Sequence, residues 1–322
     1  MDRFIFLILI SFTTSLFSAK IGILYTKIGY DIFYYRHEIF NTITDNGHSI
    51  EFIPGSNLSR NDEKKFDLLL SNQLFNTSIN ANHKTILYIF EPPIIVRQWY
   101  DPSYLKEFHK VFTFDHAICD EKKFFKGFFP AYTNLHKEFK SFNDRKFVCL
   151  INSYLGPFGL YAARKSIALF YNTYFPESLT FFGGRGWLNE KIGIYKGICE
   201  NKNAVLQDHK FCYCYENWDN NMYYISEKIH DCIMNRCVPI YLGSSKITDY
   251  IPKEAFIDAR AFKSIQEIHN FISNMDEKTW LTYIHAMEEW DKSEISKFFK
   301  KEYYIKSFTD EILNSLKSMG LH

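Results

Sequence analysis

A chain of 322 residues is long enough for one large domain or two of ordinary size, and too long for a small scaffold stapled by disulfides. Lys and Arg total 38 against 37 Asp and Glu, a formal charge of +1, so no global field draws in nucleic acid or an acidic membrane and any anion site must be local. Aromatic residues at 18%, with only 14 Gly and 9 Pro, exclude disorder, collagen-like repeats and low complexity, and call for a large core.

The chain opens with Met1-Asp2-Arg3, an apolar run from Phe4 to Ile10, and Phe12 to Ala19 mixed with Ser and Thr. The run is short for a membrane span, which takes about 20 residues. Residues 1–19 read as a signal-like or anchor segment, with Ser18 and Ala19 near a cleavage point that Phe17 fits poorly. That reading implies a membrane-associated or secretory location; the other is a first strand or helix of the fold. In a eukaryotic secretory lumen, Asn57-Leu58-Ser59 and Asn76-Thr77-Ser78 would be glycan acceptors.

From Lys20 onward, short apolar runs alternate with helical patterns, the signature of sheets flanked by helices. Strands are expected near Ile21 to Tyr25, Ser49 to Ile53, Phe66 to Leu70, Thr85 to Phe90 and Val111 to Phe114. After the charged stretch Lys137 to Lys146 a second series follows at Phe147 to Ile151, Leu179 to Phe182, Phe211 to Tyr215 and Val238 to Leu242, with a helix around Leu160 to Tyr171. Helices are expected over Ser264 to Met275, Glu277 to Glu289 and Ser293 to Lys317, the last able to pack on either domain. The expectation is an α/β protein of two open-sheet domains, residues 20–143 and residues 144–322 with the C-terminal helix, facing across a cleft. Sheets of this kind bind ligands beyond the carboxyl ends of their strands.

The seven cysteines form no Cys-x-x-Cys pair and read as buried thiols; Cys212 and Cys214 alternate along a strand and share a face. No Asp-x-Asp pair occurs that would hold a divalent ion on a nucleotide, and no essential metal is expected. The histidines show no ligand spacing, and His230 reads as a helix-surface residue. Gly183-Gly184-Arg185-Gly186 follows a strand but lacks the Gly-Lys-Ser/Thr ending of a phosphate loop; a turn is the plain reading, with a phosphate or sugar contact from Arg185 as the alternative.

The chemistry concentrates in Tyr215-Glu216-Asn217-Trp218, Tyr224-Ile225-Ser226-Glu227-Lys228-Ile229 and Val238-Pro239-Ile240-Tyr241-Leu242-Gly243, read as strand, loop, helix and strand. Ser226 suits the N-cap, and Ile229, Cys232 and Ile233 share one helical face. A lysine in a first helical turn opposes the helix dipole, a cost of a few tenths of a kcal/mol that an anion there would offset. The plain alternative is a solvated Glu227-Lys228 pair.

The whole string resembles the glycosyltransferase family 10 signature of the alpha-1,3/4-fucosyltransferases, strongly over Lys210 to Phe262, continuing through Pro252 and Ala255-Phe256-Ile257-Asp258, and more weakly from Tyr88 to Gly184. Two departures stand out: Trp218 follows Glu-Asn in place of a small polar residue, and the loop before Tyr224 is one residue longer. The resemblance implies a GT-B fold of two Rossmann-like domains, the N-terminal one on the acceptor side and the C-terminal one holding GDP-fucose. It also implies inverting, metal-independent transfer of fucose to a GlcNAc- or glucose-containing glycan. Lys228 matches the phosphate-binding lysine and Arg164 an arginine that contacts the diphosphate. Glu227 matches a glutamate facing the donor sugar and ribose, Asn217 and Tyr224 match donor contacts, and Glu216 is placed to support either of them.

Inversion needs a base opposite the leaving diphosphate. Glu91, after the strand Thr85 to Phe90 and before Pro92-Pro93, is the candidate, at a strand's carboxyl end on a stiff turn. Arg97, Trp99 and Tyr100 are expected to shape an acceptor groove or simply to pack. Two alternatives stay open: transfer from another GDP-sugar, and a catalytically silent glycan- or nucleotide-binding protein.

Overall fold

The computed structural model describes residues 18–25, 35–54, 64–71, 84–131 and 133–321. Residues 1–17 of the signal-like segment and both Asn-x-Ser acceptor sites lie outside the described residues. The described part divides into two compact units, Met1–Phe128 with Lys301–His322, and Phe129–Lys300. No helix among the described residues is long and apolar enough to cross a membrane.

In the first unit, β1 (Lys20–Tyr25), β2 (Ser49–Pro54), β3 (Leu68–Ser71), β4 (Thr85–Tyr88), β5 (Lys110–Thr113) and β6 (Phe124–Lys126) pair in the order β2-β1-β3-β4-β5-β6. Every pairing is parallel. A parallel sheet must be covered on both faces, and the two-residue alternation shows how this is done. Ile21, Ile23, Leu68, Leu70, Ile86 and Tyr88 enter one cluster, where Ile39 and Ile43 of α1 (Arg36–Asp45) meet them. Leu24, Leu69 and Leu87 enter the other, with Trp99, Leu105 and Phe108. Ala19 is buried in the first cluster, and its backbone N–H donates to His48 Nδ1, so residues 18 and 19 are stitched into this unit.

The second unit has β7 (Lys146–Asn152), β8 (Leu179–Gly183), β9 (His209–Asn220), β10 (Val238–Ser244) and β11 (Ile257–Asp258) in the order β11-β10-β9-β7-β8, again all parallel. Between the strands run α2 (Gly159–Tyr174), α3 (Lys202–Gln207) and α4 (Glu227–Met234), followed by α5 (Ile265–Ser273) and α6 (Glu277–Lys292). Alternation on β9 again sorts the faces. Tyr213 turns to α2, where its hydroxyl meets that of Tyr171 at 3.2 Å, while Cys212 and Cys214 turn to Cys232 of α4. Cys149, Cys212, Cys214, Cys232 and Cys237 are buried and free; Cys119 and Cys199 are only half-buried.

Two expectations about organisation need correction. The division falls at 128/129 and not at 143/144, because residues 133–145 are tied to the second unit: His136 N–H donates to Met234 O, and Arg145 donates to His209 O and Asn235 O. The C-terminal segment is not one helix of the second unit. A short 3-10 turn, Ile295–Phe299, buries Phe299 beside His230 and Trp290, and then α7 (Lys301–Lys317) belongs to the first unit. The cause is a stripe at four-residue spacing, Tyr304, Phe308, Ile312 and Leu316, which completes the cluster over β1, β3 and β4.

Phe308 is fully buried against Tyr88 and Phe112. Phe308→Ala is therefore expected to cost about 3 to 5 kcal/mol, read as a lowered urea midpoint of the first unit's transition.

Candidate functional site

The strand order of the second sheet reverses at β7: the chain moves to β8 on one side and then to β9 on the other. An open parallel sheet offers a ligand crevice at that reversal, beyond the carboxyl ends of the two strands. At that position β7 ends in Asn152, followed by Ser153, and β9, which runs on beside β10 to Asn220, carries Glu216 and Asn217.

Arg164 of α2 is fully buried and bridges these strand ends. It donates from Nη1 to Ser153 O at 3.1 Å, and from Nη2 to Tyr215 O at 2.6 Å and Asn217 Oδ1 at 3.0 Å. Its guanidinium lies 4.6 Å from the Tyr161 ring centre, and burial lowers its pKa. The side chain is thus no ordinary surface arginine; it ties β7 to β9 and orients Asn217. Tyr224, 2% exposed, is buried close to the same guanidinium.

One turn of chain further, Glu216 is completely buried and accepts three hydrogen bonds. They come from Ser226 N–H at 2.8 Å, Ser226 Oγ at 2.7 Å and Lys228 Nζ at 3.2 Å. Lys228 Nζ also donates to Ser226 Oγ at 2.9 Å and lies 3.6 Å from Glu227. Ser226 caps α4 as expected, accepting Lys228 N–H, and Ile229, Cys232 and Ile233 bury one face. Burial works against the Lys228 charge, but Glu216 and then Glu227 outweigh it and raise its pKa. Glu227 is likewise pushed up by burial, yet Lys228 and Lys202 hold its carboxyl down to about 2. The stability this carboxylate contributes is present above its ordinary range near 4.5 and is lost as pH falls toward 2.

Gly243 permits this packing. A Cβ at that position would collide with Glu216 Cγ and the Tyr241 hydroxyl. The Gly183–Gly186 run has a similar cause and no phosphate loop: Trp187 packs onto Gly183, donating Nε1 to Asn152 O at 2.6 Å, and a Cβ on Gly186 would strike Tyr154 O. Arg185 is exposed beside it.

Glu91 belongs to the first unit and follows β4, at the carboxyl end as expected. Its backbone carbonyl accepts the Tyr100 hydroxyl at 3.1 Å; burial, Asp115 and Glu91 together push the Tyr100 pKa up. Of the two readings of Trp99 the structure selects packing: it is 5% exposed and lies with Leu24, Leu87 and Leu105 in the core. His230 is not the helix-surface residue expected. It is fully buried between Trp290 and Phe299, and burial lowers its pKa to about 3, because α4 is covered on this side as well.

The structure therefore brings Arg164, Asn217, Tyr224, Glu227 and Lys228 together in the second unit and leaves Glu91 in the first. The sequence reading left the role of Glu216 open and passed over Lys202 of α3, which pairs with Asp231 of α4 at 2.5 Å. A lysine directly after the N-capping Asn201 was the available signal.

Glu216→Gln keeps the shape but strands Lys228 without its buried counter-charge. A loss of about 3 to 5 kcal/mol in the second unit's denaturant transition is expected, and Lys228→Met added to it should recover a large part.

Residues 186–315 match the family model "Glycosyltransferase family 10 (fucosyltransferase) C-term". Over 74 residues, 23% of this chain, the sequence is 36% identical to an alpha-(1,3)-fucosyltransferase FucT of Helicobacter pylori; the match spans 15% of that relative's length. Among solved structures, an alpha1,3-fucosyltransferase with GDP aligns at a TM-score of 0.55 and 18% identity, covering 83% of this chain and 81% of that one. Anabaena Alr3699/HepE, in complex with UDP-glucose, aligns at 0.58 and 12% identity over 92% and 100%. At such identities the likeness is one of fold, and two parallel-sheet α/β units on the GT-B plan are what it shows. Over residues 186–315, then, the chain is similar to the C-terminal domain of glycosyltransferase family 10 (fucosyltransferase).

Proposed function

We propose that this protein is an inverting glycosyltransferase that moves fucose from GDP-fucose to a hydroxyl of a GlcNAc- or glucose-containing glycan, without an essential metal. The observation that carries the reading is the Glu216–Ser226–Lys228 clamp at the N-terminus of α4, inside the segment that matches the family model. A lysine fixed at the positive end of a helix dipole, beside the carboxyl ends of β7 and β9, suits a diphosphate. The solved fucosyltransferase with GDP supports the choice of guanosine nucleotide.

In this reading Lys228 and the α4 dipole meet the charge that grows on the leaving diphosphate, the part a metal plays elsewhere. Glu227 and Asn217 face the donor, with Arg164 and Tyr224 holding the walls behind them. Glu91 takes the proton of the acceptor hydroxyl. That oxygen then bonds to the anomeric carbon on the face opposite the diphosphate; the carbon–oxygen bond to phosphate breaks, and GDP leaves with the electron pair.

The testing experiment incubates the purified chain with GDP-fucose, GDP-mannose or UDP-glucose, with and without N-acetyllactosamine, and measures nucleotide release. Acceptor-dependent GDP release from GDP-fucose, unchanged by EDTA, is the expected result. Release from UDP-glucose alone, or turnover abolished by EDTA and restored by manganese, would overturn it. The HepE likeness makes the UDP-glucose arm a needed control.

Glu91→Gln preserves size and hydrogen bonding but accepts no proton, so transfer should fall by roughly 10²- to 10⁴-fold while GDP affinity barely changes. Retention of most turnover at saturating donor and acceptor would move the base elsewhere.

A further inference from the structure

The pairing of β9 with β10 breaks beside the clamp. Tyr215 lies opposite Leu242 and Asn220 opposite Ser244, so the four β9 residues 216–219 face the single residue Gly243. A bulge of this kind re-aims side chains out of the regular alternation. Here it carries Glu216, Asn217, Trp218 and Asp219 towards the carboxyl end of the strand. Glu216 fixes its start through Ser226, and Asn220 O fixes the chain beyond it by accepting Ser245 N–H at 2.8 Å. Arg164 holds Asn217 from α2.

The side chain that holds Asp219 comes from further along the chain. Arg260 lies in a 3-10 turn, Ala259–Ala261, directly after β11, where the Asp258 carboxylate accepts its backbone N–H at 3.0 Å. Its Nη2 donates to Asp219 Oδ1 at 2.6 Å and also to Gly243 O, so one nitrogen joins the bulge to the residue opposite it. Nη1 donates to Asp258 Oδ1 at 3.4 Å, which orients the guanidinium. With side chains 29% and 50% exposed, the Arg260–Asp219 ion pair contributes little by itself. The shared bond to the Gly243 carbonyl is what turns it into a brace across the bulge.

We propose that Arg260 is a positioning residue for the β9 bulge: by joining Asp219 to Gly243 O it keeps Asn217 at the crevice, where Asn217 meets the donor. This deepens the nucleotide-sugar reading and rests on it for the part played by Asn217. Three elements then hold the bulge: α2 through Arg164, α4 through Ser226 and Lys228, and the turn after β11 through Arg260. Arg164 and Glu216 are fully buried and belong to the frame of the unit, whereas Arg260 reaches the bulge from the surface. Its removal therefore frees one end of the bulge and leaves the ladder beneath it in place.

The test uses the full chain and two readouts. Hydrogen exchange followed by mass spectrometry reports on the bulge itself: Arg260→Met should speed exchange over residues 216–222 by about tenfold, while residues 209–215 and 238–242 stay as protected as in the unaltered protein. Steady-state kinetics report on the donor. Arg260→Met should raise KM for GDP-fucose about five- to tenfold with kcat held within about twofold; Asp219→Ala should do the same, and the two together should cost no more than either alone. In an Asn217→Ala background, Arg260→Met should cost less than about twofold. Unchanged exchange over residues 216–222, a rise spread evenly over β9 and β10, or an equal KM cost with and without Asn217 overturns the proposal and leaves Arg260 a surface ion pair. Failure of the unaltered protein to turn over GDP-fucose would defeat the nucleotide-sugar reading instead, and exchange over residues 216–222 then decides the brace.

Discussion

The second unit is organised around one buried carboxylate. Glu216 has no access to water, and a carboxyl group in such a place is tolerated only if it is hydrogen-bonded and paired with a cation. Ser226 answers with its amide and its hydroxyl, and Lys228 with its ammonium. Those three bonds fix the approach to α4, hold its cap in register and keep a lysine at a helix terminus that would otherwise repel it. The requirement reaches across the sheet: β10 must lack a side chain at Gly243, where the Glu216 methylene and Tyr241 hydroxyl occupy the space. Arg164 performs the equivalent task on the other side, replacing hydrogen bonds that the diverging ends of β7 and β9 can no longer give each other.

What the sequence disclosed follows from which forces are local. Parallel strands buried on both faces read as apolar runs, and the helix start at Ser226 is written in a single cap residue, so both were legible. The motif string from Tyr215 to Gly243 was legible because its strand, loop and helix are contiguous. The partners that come from afar were not legible. Nothing near Lys202 reveals Asp231, 29 residues on. For Trp99 the sequence left a groove and plain packing equally open, and a short 3-10 turn rotates it into the core. His230 shows the same effect: its exposure is decided by Trp290 and Phe299, which no pattern around residue 230 announces.

The thiols illustrate a milder version of this limit. Alternation placed Cys212 and Cys214 on one face, and the structure adds Cys232 opposite them and Cys149 in register with Cys212 on the neighbouring strand. Cys232 on the helix that carries Glu227 and Lys228 thus joins Cys212, Cys214 and Cys149 in one group of buried free thiols, with Cys237 beside Cys149. Small, soft side chains let α4 settle close onto β9.

The return of α7 to the first unit carries a consequence for how the molecule is made. Two of the layers over β1, β3 and β4 are residues 36–45 and residues 301–317, so the first sheet to leave the ribosome waits longest for its cover. The second unit, continuous from Phe129 to Lys300, has its whole sequence available earlier. The apolar face that Tyr88 and Phe112 present is thus completed only by a segment made after the whole second unit, so the closing of the first sheet is bound to come late in synthesis.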